Sequence, residues 1–224
     1  MPGREIPLVT NEIYHVFNKG INSQTIFELE KDFSEVIKRT QYYRNQNPPM
    51  RYSRFVDFSI QTQEEIIKKL LTENKYLVVV IAFCFMPNHF HFILRQLLDG
   101  GISKFISQVT NSYTRYFNVK NKNVGPLFQG KFKAISIITD EQLCHLSRYI
   151  HLNPFSSSII KDLKELKNYR YSSFQEYLGK YQVKMTKPNI VLNYFKDNND
   201  YEKFVLDQAD YQRNLEIIKK FAID

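Results

Sequence analysis

The order of strand-like and helix-like patterns along the 224 residues predicts an α+β fold, on two main observations. The apolar run 77–81 is typical of a strand buried on both faces. After the turn Met86-Pro87-Asn88, residues 89–95 alternate between apolar and polar side chains, as a second strand does. These two segments predict a central hairpin, and the full order is strand, helix, strand, strand, helix, strand, helix. That order predicts a ferredoxin-like split βαβ core, an antiparallel sheet covered by helices.

Before the hairpin, residues 12–18 are rich in strand formers and are followed by the turn signal Lys19-Gly20. A 3.6-residue apolar period then predicts a helix that ends near Arg44. Residues 46–58 contain two prolines and many polar residues, and they predict an exposed insertion. A short helix over 63–73 is predicted between this insertion and the hairpin.

After the hairpin, Gly100-Gly101 precedes a long helix with apolar residues at helical spacing up to Phe117. A polar loop and a fourth strand over 132–138 follow. Thr139 is a good N-cap for the next helix, and Asn153-Pro154 is expected to end it. We expect one domain over residues 1–180 and a C-terminal helical extension over 181–224, with helices around 201–208 and 211–221.

The composition favours a polyanionic partner. Thirty-one Lys and Arg against 23 Asp and Glu give a formal charge of +8. Two distant cysteines predict neither a disulfide framework nor a Cys-ligated zinc site, which fits a reducing cytoplasm. No run approaches the roughly 18 apolar residues of a membrane span, so no membrane association is expected.

Two clusters, 51–55 and 113–117, mix aromatic with basic residues. Such mixing suits base stacking beside phosphate contacts on single strands. The second cluster keeps helical spacing, which favours a place in the core.

His89 and His91 are the strongest candidates for chemistry. The two-residue period of a strand points both imidazoles to one face and Phe90 to the other. Such a pair can bind a metal ion, although an H-x-H spacing alone is not specific.

A second set of polar side chains lies on the helix after Thr139. A rotation of about 100° per residue places Tyr149 and Asn153 within about 40° of each other. The amide oxygen could therefore complete a metal site beside the phenol, and His145 lies one turn earlier on the same side.

Four motifs carry a resemblance to a known family. They are YHVFNKG at 14–20, MPNHFHFIL at 86–94, GPLFQGKFK at 125–133 and YIHLNP at 149–154. In this order they resemble the signatures of the HUH-superfamily single-tyrosine insertion-sequence transposases, and most of all the REP-associated tyrosine transposases. The segment 171–174 resembles the end of that family's domain, so the resemblance spans about residues 10 to 180.

The resemblance implies specific roles for these residues. His89 and His91 would bind Mg²⁺ or Mn²⁺, Tyr149 would be the nucleophile, and Asn153 would be an amide-type third ligand. Because other branches have Gln or His at the position of Asn153, supporting roles for His145 and His151 stay open.

The resemblance also implies a substrate and a setting. The substrate would be single-stranded DNA with hairpins or repeats, cleaved and rejoined through a 5′-phosphotyrosine in a bacterial-type cytoplasm, with the protein at the nucleoid when bound to DNA. A homodimer and a monomer both remain open. Basic residues beside the motifs are candidates for DNA contacts: Lys19, Lys104, Arg115, Lys131, Lys133 and Arg148.

Other functions fit less well. An amidohydrolase barrel generally needs roughly 250 or more residues and eight strand–helix units, which do not fit here. A two-histidine phosphoesterase needs a second H-x-[ST] repeat, and the five histidines provide none. The remaining alternative is a domesticated DNA- or RNA-binding protein without transposition activity.

Overall fold

The sheet has four antiparallel strands in the order β2-β3-β1-β4. The computed structural model describes residues 7–181 and 185–221. The strands are β1 (Ile13–Lys19), β2 (Val78–Met86), β3 (His89–Gln96) and β4 (Lys133–Ile137). Because β3 lies between β1 and β2, the arrangement is a split βαβ unit extended by β4. The predicted α+β fold class is confirmed.

The described helices lie between the strands and after β4. They are α1 (Glu30–Tyr43), α2 (Tyr52–Phe55), α3 (Ile60–Glu73), α4 (Gly101–Asn121), α5 (Asp140–Ser156), α6 (Phe174–Tyr177), α7 (Asn189–Leu192), α8 (Asn198–Leu206) and α9 (Ala209–Phe221). Two short 3-10 helices span Ile21–Ser23 and Leu163–Asn168. In the described part of the chain, none of the helices combines the length and apolar character needed to cross a membrane.

The start of α4 depends on glycine. A Cβ atom at Gly101 would lie 2.5 Å from the carbonyl oxygen of Leu77, closer than any side chain tolerates. The preceding Gly100 has a φ of 66°, in the left-handed region that favours glycine. This close approach seats the N-terminus of α4 against the end of the sheet.

The two faces of the sheet belong to two apolar clusters. Phe90, Phe92 and Leu94 of β3 face the cluster that includes α1 and α4. Ile93 and the alternate residues of β2 face α5 and the C-terminal helices. The alternation in β3 therefore directs the histidine pair towards the α5 side.

Helix α5 extends further than the sequence predicts. The prediction that Asn153-Pro154 ends it is wrong, because the helix continues to Ser156 with Pro154 inside it. Proline lacks an N–H and so removes one helical hydrogen bond. The next turn persists because Phe155 is buried and the N–H of Ser157 donates to the carbonyl of Asn153 at 3.0 Å.

The segment 46–58 is only partly exposed, which corrects the prediction of an exposed insertion. Tyr52 and Phe55 are 2% and 5% exposed and pack against Tyr42 of α1. The hydroxyl of Tyr43 accepts a hydrogen bond from the N–H of Tyr52 at 3.0 Å. These aromatic rings are core residues, so Tyr52 and Phe55 are not available for base stacking.

The C-terminal helices pack on α5. Tyr201, Val205 and Ala209 belong to the same apolar cluster as Ile150 and Phe155. The helices predicted around 201–208 and 211–221 correspond to α8 and α9, each shifted by a few residues. The helix that carries Tyr149 therefore lies between the sheet and the C-terminal extension.

Candidate active site

Strand β3 places His89 and His91 side by side on the sheet face that α5 covers. The centroids of their rings are 5.0 Å apart, and the rings are nearly perpendicular at 87°. His91 is buried, and His89 is half-buried. Nδ1 of His89 is hydrogen-bonded to Oδ1 of Asn88 at 2.6 Å. The turn before β3 thus fixes the orientation of the first imidazole.

A third histidine, His15 of β1, joins this pair. Its Nε2 lies 2.9 Å from Nδ1 of His91, and the two rings are stacked with centroids 5.1 Å apart. The contact arises because β1 and β3 are hydrogen-bonded neighbours whose same-face side chains adjoin. Since Nδ1 of His91 is engaged by His15, Nε2 is the nitrogen that His91 could offer to a metal.

Sequence reasoning missed this role of His15. The strand alternation does indicate which face His15 occupies, because His15 and Phe17 alternate with the core residues Tyr14 and Val16 in β1. What the sequence did not show is that β1 pairs with β3.

The buried imidazoles are neutral near pH 7. Burial lowers the pKa of His91 well below its usual range, and the neighbouring His89 and His15 lower it further. Burial also lowers the pKa of His15 to about 4. A neutral imidazole is the form that binds metal ions, so the electrostatics suit a ligand role for His91.

Helix α5 brings Tyr149 to the histidines from the opposite side. Its ring centroid lies 5.7 Å from that of His91 and 6.5 Å from that of His15, edge-on in both cases. The N-cap Thr139 fixes the start of α5, with Gln142 completing a capping box. The amide of Gln212 in α9 donates to the carbonyl of Tyr149 at 3.1 Å, so the C-terminal extension also holds this turn.

Asn153 lies one turn after Tyr149 and is buried. Its Oδ1 accepts a hydrogen bond from the Ser157 hydroxyl at 3.3 Å, but its Nδ2 has no hydrogen-bond partner among the described residues. The two ends of an amide are assigned from such contacts. In the flipped orientation Nδ2 would donate to Ser157, and the buried oxygen would be the atom without a partner.

The other histidines of α5 are engaged elsewhere. Both ring nitrogens of His151 have partners, the Tyr201 hydroxyl at 2.7 Å and the Ser173 hydroxyl at 2.8 Å. His145 is exposed, and its Nδ1 lies 2.6 Å from the guanidinium of Arg148. His151 is therefore a structural residue of the core beneath α5.

Comparison with known proteins finds a similarity to one family. The sequence profile of the family described as "Transposase IS200 like" matches residues 46–153. Residues 46–153 are therefore similar to the IS200-like transposases. The resemblance predicted from the motifs is confirmed, and it supports a transposase role. A search of curated proteins finds no match.

One solved structure has the same fold as this chain. It is described as "Structure of the REP associates tyrosine transposase bound to a REP hairpin". The TM-score is 0.52 at 13% sequence identity, with 84% of this chain and 91% of that chain covered. At this identity the likeness shows the fold alone.

The side chains around the histidine pair determine how a metal ion could be held. Among the residues that the structure describes, no group of three or more His, Cys, Asp and Glu side chains is arranged to hold one. A metal held by His89 and His91 would need an amide such as Asn153, or an oxygen of the substrate, as a further ligand.

The predicted DNA-binding residues fall into separate groups. Lys19 is the cross-strand partner of His89 between β1 and β3, and Lys133 is the cross-strand partner of Phe17 between β1 and β4. Both lysines therefore occupy positions on the same face of the sheet as the histidines. Lys131 lines a cleft beside α4. Lys104 and Arg115 line a larger groove between α1 and α4.

Arg148, another predicted DNA contact, packs against Phe204 of α8. Its guanidinium lies 4.3 Å from the centroid of the Phe204 ring and donates to the Phe204 carbonyl at 3.4 Å. It thereby helps to attach α8 to α5.

Proposed function

We propose that the chain is a metal-dependent transposase and endonuclease that cleaves and rejoins single-stranded DNA containing hairpins, through a 5′-phosphotyrosine on Tyr149. The observation that carries the proposal is the contact between the Tyr149 ring and the buried His91 ring, 5.7 Å between centroids. A phenol and a pair of imidazoles on neighbouring elements are the groups that such a reaction requires.

His89 and His91 would hold Mg²⁺ or Mn²⁺, with Asn153 as the third ligand. In the flipped orientation of the buried Asn153 amide, the oxygen has no partner among the described residues and fits the role of a ligand. When bound, the ion would polarise the scissile phosphate and offset the charge that develops in the transition state.

His15 would act as a positioning residue. Its 2.9 Å contact with Nδ1 of His91 fixes the orientation of that ring and sets which nitrogen carries the proton. A partner of this kind raises metal affinity without touching the substrate.

In cleavage, Oη of Tyr149 would attack phosphorus. A bond from Oη to phosphorus forms, the bond from phosphorus to the 3′ oxygen breaks, and that oxygen takes up a proton to become a 3′ hydroxyl. A phenol has an unperturbed pKa of about 10, so loss of its proton must be assisted by nearby positive charge. Lys19 and Lys133, whose backbones adjoin the histidine face, are candidates for this assistance.

Rejoining would reverse these bonds. A 3′ hydroxyl attacks the phosphotyrosine, a new phosphodiester forms, and the phenol of Tyr149 regains its proton. Because the bond energy is kept in the phosphotyrosine, the reaction needs no ATP.

The test is formation of a covalent protein–DNA band. Wild type, Tyr149→Phe and the exposed control Tyr211→Phe are incubated with Mn²⁺ and a 3′-labelled single-stranded hairpin library, then denatured. We expect the band with wild type and with Tyr211→Phe, and its loss with Tyr149→Phe.

An equal band from Tyr149→Phe would remove Tyr149 as the nucleophile. Hairpin binding without a band from any of the three proteins would instead favour a domesticated DNA- or RNA-binding protein.

A further inference from the structure

His151 is a buried polar side chain that the proposed reaction does not use. It lies on α5 two residues after Tyr149 and is fully buried. Its ring packs against the rings of Phe174 and Tyr177, with centroids 5.3 and 4.7 Å away. Burial of a polar ring is costly unless its nitrogens are hydrogen-bonded. The partners of the two nitrogens therefore indicate what the residue does.

Those two nitrogens connect α5 to two other parts of the fold. Nδ1 lies 2.7 Å from the hydroxyl of Tyr201 in α8, and Nε2 lies 2.8 Å from the hydroxyl of Ser173, which precedes α6. The Ser173 hydroxyl also accepts a hydrogen bond from the N–H of Phe83 in β2 at 2.9 Å. One imidazole thus joins the helix of Tyr149 to the C-terminal extension and to the sheet.

The donors and acceptors around His151 follow a single order. The Ser147 hydroxyl donates to the carbonyl of Cys144 at 2.8 Å, and the Tyr201 hydroxyl donates to Ser147 at 2.9 Å. Since the Tyr201 hydroxyl has only one proton, Nδ1 of His151 must be the donor in their contact. Burial lowers the pKa of the imidazole to about 3, so the ring is neutral at pH 7 and Nε2 has no proton. Nε2 therefore accepts from the Ser173 hydroxyl.

The result is a continuous chain of hydrogen bonds from the backbone of β2 to the backbone of α5, in which every contact has one proton. All four side chains of this chain are fully buried: Ser147, His151, Ser173 and Tyr201. A buried polar network stabilises one arrangement of its elements, because any other leaves polar groups unpaired away from water. A rotation or shift of α5 against β2 and α8 would break this chain.

Tyr149 lies between Ser147 and His151 in α5, on the other side of the helix. At about 100° per residue, Tyr149 and His151 point about 160° apart. A rotation of α5 by roughly 10° would move an atom about 6 Å from the helix axis by about 1 Å. Displacement of a reacting group by about 1 Å can lower a rate by about 100-fold. The setting of α5 that the chain fixes is also the setting that brings the Tyr149 ring to His91.

We propose that His151 is a positioning residue, which joins β2, α5 and α8 and so fixes the rotation at which α5 presents Tyr149 to His91. The inference rests on the proposed function and adds a residue that acts through Tyr149 instead of through DNA or a metal ion. It also gives the C-terminal extension a part in the reaction, because Tyr201 of α8 is one of the two partners of the ring.

The test is single-turnover formation of the covalent band over a range of DNA and Mn²⁺ concentrations. His151→Leu removes both hydrogen bonds of the ring, and Tyr201→Phe removes one hydroxyl at nearly constant volume. His151→Gln is the conservative variant, because its amide can donate to Tyr201 and accept from Ser173. Val205→Ala is the matched control, since it leaves a cavity in the same apolar cluster and keeps the hydrogen-bonded chain.

We expect His151→Leu and Tyr201→Phe to lower the rate at saturating DNA by about 10- to 100-fold. The DNA and Mn²⁺ concentrations that give half of the maximal rate should not change, because β3 and its histidines stay in place. His151→Gln should recover most of the rate. Val205→Ala should keep the wild-type rate at a temperature where circular dichroism shows every variant folded.

A second measurement does not depend on cleavage. Nuclear magnetic resonance with isotope-labelled histidine should show His151 protonated at Nδ1, and a nuclear Overhauser contact should join the rings of Tyr149 and His91. We expect this contact in wild type and in His151→Gln, and its weakening in His151→Leu and Tyr201→Phe. If wild type forms no covalent band, the proposed function fails, and the ring contact still decides whether His151 positions the helix.

Two results would overturn the inference. An equal fall in rate for Val205→Ala would show that lost stability alone explains the defect. An unchanged rate, or an unchanged contact between the Tyr149 and His91 rings, in folded His151→Leu would show that His151 has no part in positioning the nucleophile.

Discussion

The hydrogen bond between His15 and His91 links two strands at the centre of the candidate site. It satisfies one nitrogen of each buried ring, which would otherwise cost about 1–3 kcal/mol per unpaired group. It also orients His91 towards whatever the other nitrogen binds. A single contact therefore contributes to both the stability of the fold and the geometry of the site.

At this scale we predict that His15→Ala weakens metal binding by about 10- to 100-fold, because His91 loses its orienting partner. The Mn²⁺ concentration that gives half of the maximal covalent band should rise, and electron paramagnetic resonance should show less bound Mn²⁺. His15→Gln, which keeps a hydrogen-bonding group, should recover part of the loss. The exposed His145→Ala serves as control, and equal effects at both positions would contradict the role of His15.

Sequence patterns predicted some of these residues and missed others for physical reasons. The two-residue period of a strand predicted that His89 and His91 share a face, and the helical period predicted Tyr149 beside Asn153; both follow from local geometry. The pairing of His15 with His91 depends on contact between strands 76 residues apart. The burial of Tyr52 and Phe55 likewise depends on packing against α1, which no local pattern encodes.

At the scale of elements, Asp32 joins the first turn of α1 to the last turn of α4. Its carboxylate is 1% exposed and accepts hydrogen bonds from Lys120, the Tyr116 hydroxyl and two backbone N–H groups. Burial by itself would raise the pKa of Asp32, but the hydrogen bonds from Lys120, the backbone and Tyr116 hold it below its usual value. The ionised carboxylate is thus the form that stabilises the α1–α4 contact.

We predict that Asp32→Asn lowers the free energy of unfolding at pH 7 by about 3 kcal/mol, because Lys120 loses its counter-charge in a partly buried pair. A carboxyl group with a lowered pKa in the folded state contributes stability above its unfolded pKa and loses it as the pH falls through the folded value. The difference between wild type and variant should therefore shrink below about pH 4. Urea unfolding at pH 7 and pH 3 measures it, with the exposed Asp57→Asn as control.

At the scale of the whole molecule, the C-terminal helices and the helix of Tyr149 share one apolar cluster. Tyr201 and Val205 of α8 are fully buried beside Ile150 of α5. The sequence predicted a boundary near residue 180, but a shared core of this kind favours cooperative unfolding of both parts.

We therefore predict that Val205→Ala shifts a single unfolding transition of the entire chain, lowering its stability by about 1–3 kcal/mol through the cavity that it leaves. Differential scanning calorimetry and near-ultraviolet circular dichroism should report the same midpoint. The control is Val124→Ala, at a position that is 88% exposed, and it should leave the midpoint unchanged. A separate early transition that appears only in Val205→Ala would show that the extension unfolds independently.

The position of β3 inside the sheet has a consequence for how the site fluctuates. Because β3 is bonded to β1 on one edge and to β2 on the other, its amide protons should exchange with solvent only when much of the sheet opens. The last turn of α5 contains Pro154 and has one backbone bond fewer, so its amides should exchange sooner. The histidines are thus the part of the site that moves least, and the last turn of α5, which follows the turn of Tyr149, is the part that can adjust when a substrate binds.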